Sequence, residues 1–245
     1  MESPSRHIWT SALIVALGMA LGGAFLGAGF RAGRASDRYV TVKGAVEREV
    51  EANLALWPLQ LVAAANDLGA AQSEARSRAE LARAFLAENG IAPEQVTVQG
   101  FKVTDTQANA YQSGSSANRF IITQTLMVRS EDPHTVLAAS QRVGDLVDAG
   151  VVLISGEEYG PGGPTFLFTR LNDLKPAMLA EATSRAREAA GEFASSSGSQ
   201  VGPIRRANQG VFEILPRDPV PGQSEQNQLF KTVRVVATIE YLLEG

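Results

Sequence analysis

The side chains that could do chemistry are few, and their scarcity is informative. The chain has no cysteine and only two histidines, His7 and His134. Without thiols there is no disulfide, no thiolate nucleophile, no cysteine-ligated zinc and no iron–sulfur cluster. His7 abuts a hydrophobic segment, so the remainder of the chain has a single imidazole. A histidine-rich metal site cannot be built from one chain, and a Ser/His/acid triad would have to use His134. That residue follows Asp132-Pro133, a helix-opening pair, which places it on an exposed first turn and reads as solvated surface.

The other candidates have equally plain readings. The serine groups Ser113/Ser115/Ser116 and Ser195/Ser196/Ser197 lack a G-x-S-x-G frame, so loop and helix-end chemistry accounts for them. Gly160-Pro-Gly-Gly is not followed by Lys-Ser/Thr, which argues for a turn and against a phosphate cradle. Glu157-Glu158 and Glu47/Glu49/Glu51 have the chemistry of acid/base pairs or cation ligands. The second set alternates along a strand, as glutamates on a solvated face do. Arg205-Arg206 could grip an anion, but neighbours on a strand point to opposite faces. No residue is assigned a catalytic, cofactor-binding or metal-ligating role, and no cofactor is expected.

Charge removes another class. Residues 1–37 hold Arg6, Arg31 and Arg34 against Glu2 and Asp37, a net of +1, so the −4 of the whole chain leaves −5 for residues 38–245. Affinity for phosphate backbones needs concentrated Lys and Arg, and nucleic acid is set aside as a partner. Hydrophobic residues make up 44% of the 245, enough for a packed core and far from a disordered composition.

The elements that must position these residues begin with a hydrophobic segment. From Ile8 to Phe30 the chain runs without a charge. At about 1.5 Å per residue it reaches across a hydrocarbon core of roughly 30 Å. The segment predicts a transmembrane anchor, with a cleaved signal peptide ending at Gly33-Arg34-Ala35, before Ser36, as the alternative. The flanking Arg31, Arg34 and Arg38 alone would favour a cytoplasmic C-terminus, but long domains translocate largely regardless of such charges. Residues 1–37 are therefore read as anchor or signal with a short linker, and 38–245 as one folded domain.

Within that domain, Val40, Val42, Val46 and Val50 alternate with polar residues as in a half-buried strand, and Gly44 suggests a bulge. Leu54 to Leu61 extend the run, with Pro58 pointing to a sheet edge. A helix is expected from about Asp67 to Asn89, with Leu68, Ala71, Ala75, Ala79, Ala82 and Leu86 inward and Asn89-Gly90 as its stop. A strand at Val96–Asp105, a polar loop at 106–118 and a strand at 119–130 follow. A second helix opens at Asp132-Pro133 and runs to Gly150, with Val136, Leu137, Val143, Leu146 and Val147 inward. Val151–Tyr159 and Phe166–Phe168 read as strands. A third helix covers about Asp173–Ser195, with Leu179, Ala182, Ala186, Ala189 and Phe193 inward. A strand at Val201–Ile214 and the alternating strand 229–243 complete the chain. The result is α+β: a mostly antiparallel sheet with three helices packed on it, preceded by the anchor. The long strands 119–130 and 229–243, each after a polar loop, are expected near sheet edges, where a second copy could pair.

These motifs in this order resemble the SIMPL-domain family. Tyr39-Val-Thr-Val-Lys-Gly-Ala-Val-Glu-Arg-Glu-Val50 is similar to its opening V-x-V-x-G-x-G-x-V strand. The helix ending at Asn89-Gly90-Ile91 before Gln95-Val-Thr-Val is similar to its helix–NGI–strand passage. Ala182, Arg185, Ala186, Arg187, Ala189 and Ala190 are similar to its A-R-x-R-A-x-x-x-A helix. The likeness spans about residues 39–243. Two departures fall on the first hairpin: Glu51-Ala-Asn53 stands where the family often has Pro-Asp, and Val46 where it has a second glycine. The resemblance implies a non-enzymatic envelope protein of the periplasmic immunogenic type, anchored in the inner membrane through residues 8–30 with its C-terminal domain in the periplasm, or exported after signal cleavage. It further implies homo-oligomers and a link to oxidative stress, and brings no catalytic residues. Two rivals are a periplasmic binding module for a small apolar ligand and a carboxylate-dependent hydrolase, which would need two acids facing one cleft.

Overall fold

The structure, a computed structural model, describes residues 5–35, 38–108, 117–154 and 163–245. It is an α+β fold of antiparallel sheets and helices, and it resolves into two compact units. One comprises Met1–Val46, Pro176–Phe212 and Val235–Gly245; the other comprises Glu47–Lys175 and Glu213–Arg234. The one sheet expected from sequence is two four-stranded sheets.

In the second unit, strands β2 (Leu54–Ala65), β3 (Val96–Asp105), β4 (Phe120–Ser130) and β5 (Thr165–Leu167) form a sheet ordered β3-β4-β2-β5. β2 and β4 pair without interruption from Ala55↔Ser130 to Ala65↔Phe120. Side chains alternate between faces, so Trp57, Leu59, Leu61 and Ala63 of β2 and Ile122, Leu126 and Val128 of β4 are all buried. Helix α2 (Leu68–Glu88) contributes Ala71, Ala75, Ala79, Ala82, Phe85 and Leu86 to the buried set. Asp67 caps it by accepting from Ala70 N at 2.9 Å, and Gly90 at φ +82° ends it as Asn89-Gly90 predicts. Leu68 is exposed, because it is the first helical residue and precedes the first turn that meets the sheet.

Two expectations fail here for physical reasons. β2 is interior, although it holds Pro58. Val62 N and Gln60 O bond to Val152 and Ile154, on the side away from β4, so even-numbered residues turn their polar groups that way. Pro58 shares this parity and falls between the β5 pairing at residues 54–56 and the bridge at Leu61↔Leu153, so its missing donor costs no ladder bond. Residues 151–154 are all that is described of the expected Val151–Tyr159 strand, and Leu153 among them forms that bridge; residues 155–159 lie outside the described residues. The second helix is broken into α3 (Pro133–Gln141) and α4 (Gly144–Asp148). Asp145 N bonds Arg142 O, a tightened i→i+3 turn, beside Gly144, a poor helix former. Pro133, Val136, Ala139 and Leu146 are buried and Leu137 and Val143 pack against the same core as expected, while Val147 is exposed.

The other sheet has the order β1-β8-β6, with β7 also paired to β8. Its strands are β1 (Tyr39–Glu51), β6 (Gln200–Asn208), β7 (Phe212–Pro216) and β8 (Phe230–Glu244). Val40, Val42, Ile239 and Tyr241 pack with Ala186 and Ala190 of helix α5 (Leu171–Ser196). Gly44 is no bulge: a Cβ there would overlap the main-chain carbonyl of Ala182 and crowd Ala186 N at 2.8 Å, so the helix backbone lies directly on the strand. The single strand expected at Val201–Ile214 is split into β6 and β7 by Gly210, at φ +71°, whose own Cβ would strike the Val236 carbonyl. The buried face of α5 is Met178, Ala182, Ala186, Ala190 and Ala194; Phe193 is 64% exposed.

The N-terminal helix α1 (Ser5–Ala35) carries described side chains at residues 14–29, none of them buried. Among the described residues no helix is long and apolar enough to cross a membrane. The ends of the expected Ile8–Phe30 span, Ile8–Leu13 and Phe30, lie outside the described side chains.

Candidate functional site

β1 ends where α3 begins, and that brings Glu51 within 2.5 Å of His134 Nε2. The main-chain N–H of His134 is held by Asp132 Oδ1 at 3.1 Å, as the cap requires. Hydrogen bonds from Thr135 and His134, the Thr135 hydroxyl foremost, hold the Asp132 carboxyl below the usual range. An imidazole–carboxylate pair can orient a general base, but catalysis also needs a nucleophile within reach and exclusion of water. Here both side chains are well exposed, and no serine or threonine hydroxyl is described as bonded to the ring. The geometry is that of a surface ion pair, worth at most about 1 kcal/mol. The pairing was invisible in sequence, where the partners stand 83 residues apart.

The remaining sequence candidates scatter. Glu47 faces Arg234 at 3.6 Å, and Glu49 adds to the negative field around Arg217, whose pKa is raised chiefly by Asp218. Each glutamate of the alternating set thus has its own basic neighbour, and the three do not converge. Ser197 Oγ donates to Ala194 O at 3.0 Å, a helix-end bond. Arg205 stacks over the Tyr39 ring at 4.2 Å, and Arg206 stands in register with Glu240. Ser113, Ser115, Ser116, Glu157, Glu158 and Gly160 lie outside the described residues. Among the described residues no group of three His, Cys, Asp or Glu is placed to hold a metal ion.

Sequence reasoning missed two features. Lys231 sits on the inward side of β8, is 1% exposed, and donates to the main-chain carbonyl of Glu225. Burial pushes its ammonium pKa down, with the Glu225 charge opposing. Its position among alternating inward residues was legible as register, but not that a lysine would be buried there.

The second feature is the open edge of the β3-β4-β2-β5 sheet. The long strands expected at edges are interior: β4 lies between β3 and β2, and β8 lies between β1 and β6. β3 is the edge instead. Its Val98, Phe101 and Val103 lie on the face that α2 covers elsewhere, yet they are 48%, 53% and 46% exposed. Phe101, with Gln124 of β4 and Gln72, Ala75, Arg76, Ala79 and Arg83 of α2, lines a shallow pocket of about 190 Å³. A β-bulge between Val98 and Gly100 kinks the strand above it.

No curated protein matches the chain. Among solved structures, a hydrolase from Listeria innocua shares 11% identity over 81% of this chain and 91% of its own, with a TM-score of 0.22, too low to bear on fold or activity. A family model does match, over residues 40–240, nearly the whole of the folded part and the same stretch that carries the strand, helix–NGI–strand and Ala-rich helix motifs; its description is SIMPL, protein of unknown function (DUF541), and the chain belongs to that family.

Proposed function

We propose that this SIMPL protein is a non-enzymatic component of the cell envelope that works by self-assembly or protein contact. Residues 8–30 hold it in the inner membrane and the domain from residue 38 faces the periplasm. The observation that carries the contact function is the β3 edge: among the described residues a terminal strand, exposing Val98, Phe101 and Val103 along a free strand edge. Scattered apolar residues on a surface mean little, but a row of three on an open strand is a template for another strand. The apolar run from Ile8 to Phe30 supports the anchor. Any part in tolerating oxidative stress does not run through cysteine oxidation, because the chain has no cysteine.

Light scattering on the detergent-extracted full chain tests the reading. A discrete mass above that of one chain is expected, falling when Val103→Lys or Phe101→Asp is introduced. Both residues are half exposed, so the variants keep the fold. A single-chain mass for the wild type would remove self-assembly, and a multimer indifferent to both variants would remove β3 as its contact.

A further inference from the structure

The chemistry around β3 goes further than an apolar edge. Arg76 and Arg83 stand two helical turns apart on the flank of α2 that lines the pocket with Phe101. Among the described residues neither makes an ion pair, whereas Arg78 between them bonds Glu74 and the Val62 carbonyl. Glu80 shares that flank and pairs with neither. Lys102 is the only charged residue of β3 before Asp105, and Asp105 is already bound by Arg119 at 3.1 Å. A protein that is −5 over residues 38–245 therefore presents an apolar strand edge bordered by three cations that have no ion-pair partner among the described residues.

We infer that this edge takes an extended, glutamate-bearing segment of a partner protein, which adds as a strand beside β3 with its carboxylates on Arg76 and Arg83. The inference rests on the reading of β3 as a contact edge and names what it contacts. Three arguments favour this occupant. A pocket of about 190 Å³ is smaller than the roughly 300–1,000 Å³ of small-molecule sites, so it suits one side chain of a longer ligand. A glutamate fits it chemically, with methylenes on the Phe101 ring and the carboxylate at an arginine. A β3 paired with another β3 would bring Lys102 and both arginines against their own kind, so the added strand is a different and acidic segment. Strand addition supplies affinity through main-chain bonds, and alternate side chains supply selectivity.

The test is fluorescence anisotropy on the full chain in detergent, with a labelled eight-residue peptide of alternating Glu and Thr as probe. Saturable binding is expected, weakened by salt and by at least about tenfold in the Arg76→Glu, Arg83→Glu double variant. A probe with a central proline should lose binding, because proline cannot complete the ladder. His134→Ala should leave it unchanged. Both arginines are exposed, and an unaltered melting temperature confirms that the double variant is folded. Absence of saturation up to about 1 mM, equal binding of a Lys/Thr peptide, or an unaffected double variant would each overturn the inference. Light scattering on the same samples reads self-assembly separately. Peptide binding by a single-chain species leaves the inference standing without self-assembly, and a multimer that ignores the peptide does the reverse.

Discussion

Gly44 shows how much one missing side chain decides. In sequence it interrupts an alternating strand and suggests a bulge; in the fold it lets the α5 backbone rest on β1, because the obstacle to a Cβ is main chain and cannot rotate away. Gly44→Ala should cost about 3 kcal/mol or prevent folding, read from the denaturation midpoint, since relief requires moving a helix. Lys231 is the converse case, a charge kept where the neighbouring inward residues are apolar. Burial lowers its pKa in the folded state relative to the unfolded value of about 10.4, so the fold binds fewer protons between the two values and its stability rises with pH through that window. Lys231→Met should therefore stabilise the protein at pH 7, on the order of 1 kcal/mol, with the gain shrinking as pH approaches 10.4. A variant less stable at every pH would mean that the bond to Glu225 outweighs the buried charge.

At the scale of elements, legibility followed periodicity. α2 was readable because Ala71, Ala75, Ala79 and Ala82 recur at helical spacing between a capping Asp67 and Asn89-Gly90. β4 and β8 were readable because their faces alternate. Where two stripes compete, periodicity cannot choose. In α5 the larger Leu179 and Phe193 suggested one face, while the fold buries Met178 and four alanines, because at Ala182 and Ala186 the helix lies against Gly44 with room for methyl groups only. Phe193→Ser should thus change stability by less than about 0.5 kcal/mol, whereas Ala186→Leu should cost about 1–3 kcal/mol in the same denaturation assay. Strand position was illegible for a different reason. Length and alternation mark a strand as half-buried, but its neighbours are chosen across distant segments, so β4 and β8 looked like edges and the bulged β3 did not. The contact site was hidden with it: Arg76, Arg83 and Phe101 share no motif and meet only through the β3–β4 pairing and the seat of α2.

For the whole molecule, the membrane and the assembly are separable claims. If residues 8–30 form the anchor, the full chain stays in the pellet after a carbonate wash; release into the supernatant with a mature N-terminus at Ser36 would make the protein exported. The proposed function depends most on what the intact protein is bound to. A carboxylate hydrolase would need acids that share a cleft; Glu47, Glu49 and Glu51 each face a separate basic group, whereas Glu94 and Glu131 line one open groove. The pocket beneath Phe101 is too small for a small-ligand module, and the larger grooves beside Phe193, about 510 Å³, and along Thr97 and Met127, about 660 Å³, are where such a ligand would sit. The measurement that decides is native mass spectrometry of the detergent-extracted protein. The account predicts a discrete multiple of the 26.0 kDa chain with no extra mass per subunit; a single chain carrying a stoichiometric small ligand or metal would contradict it.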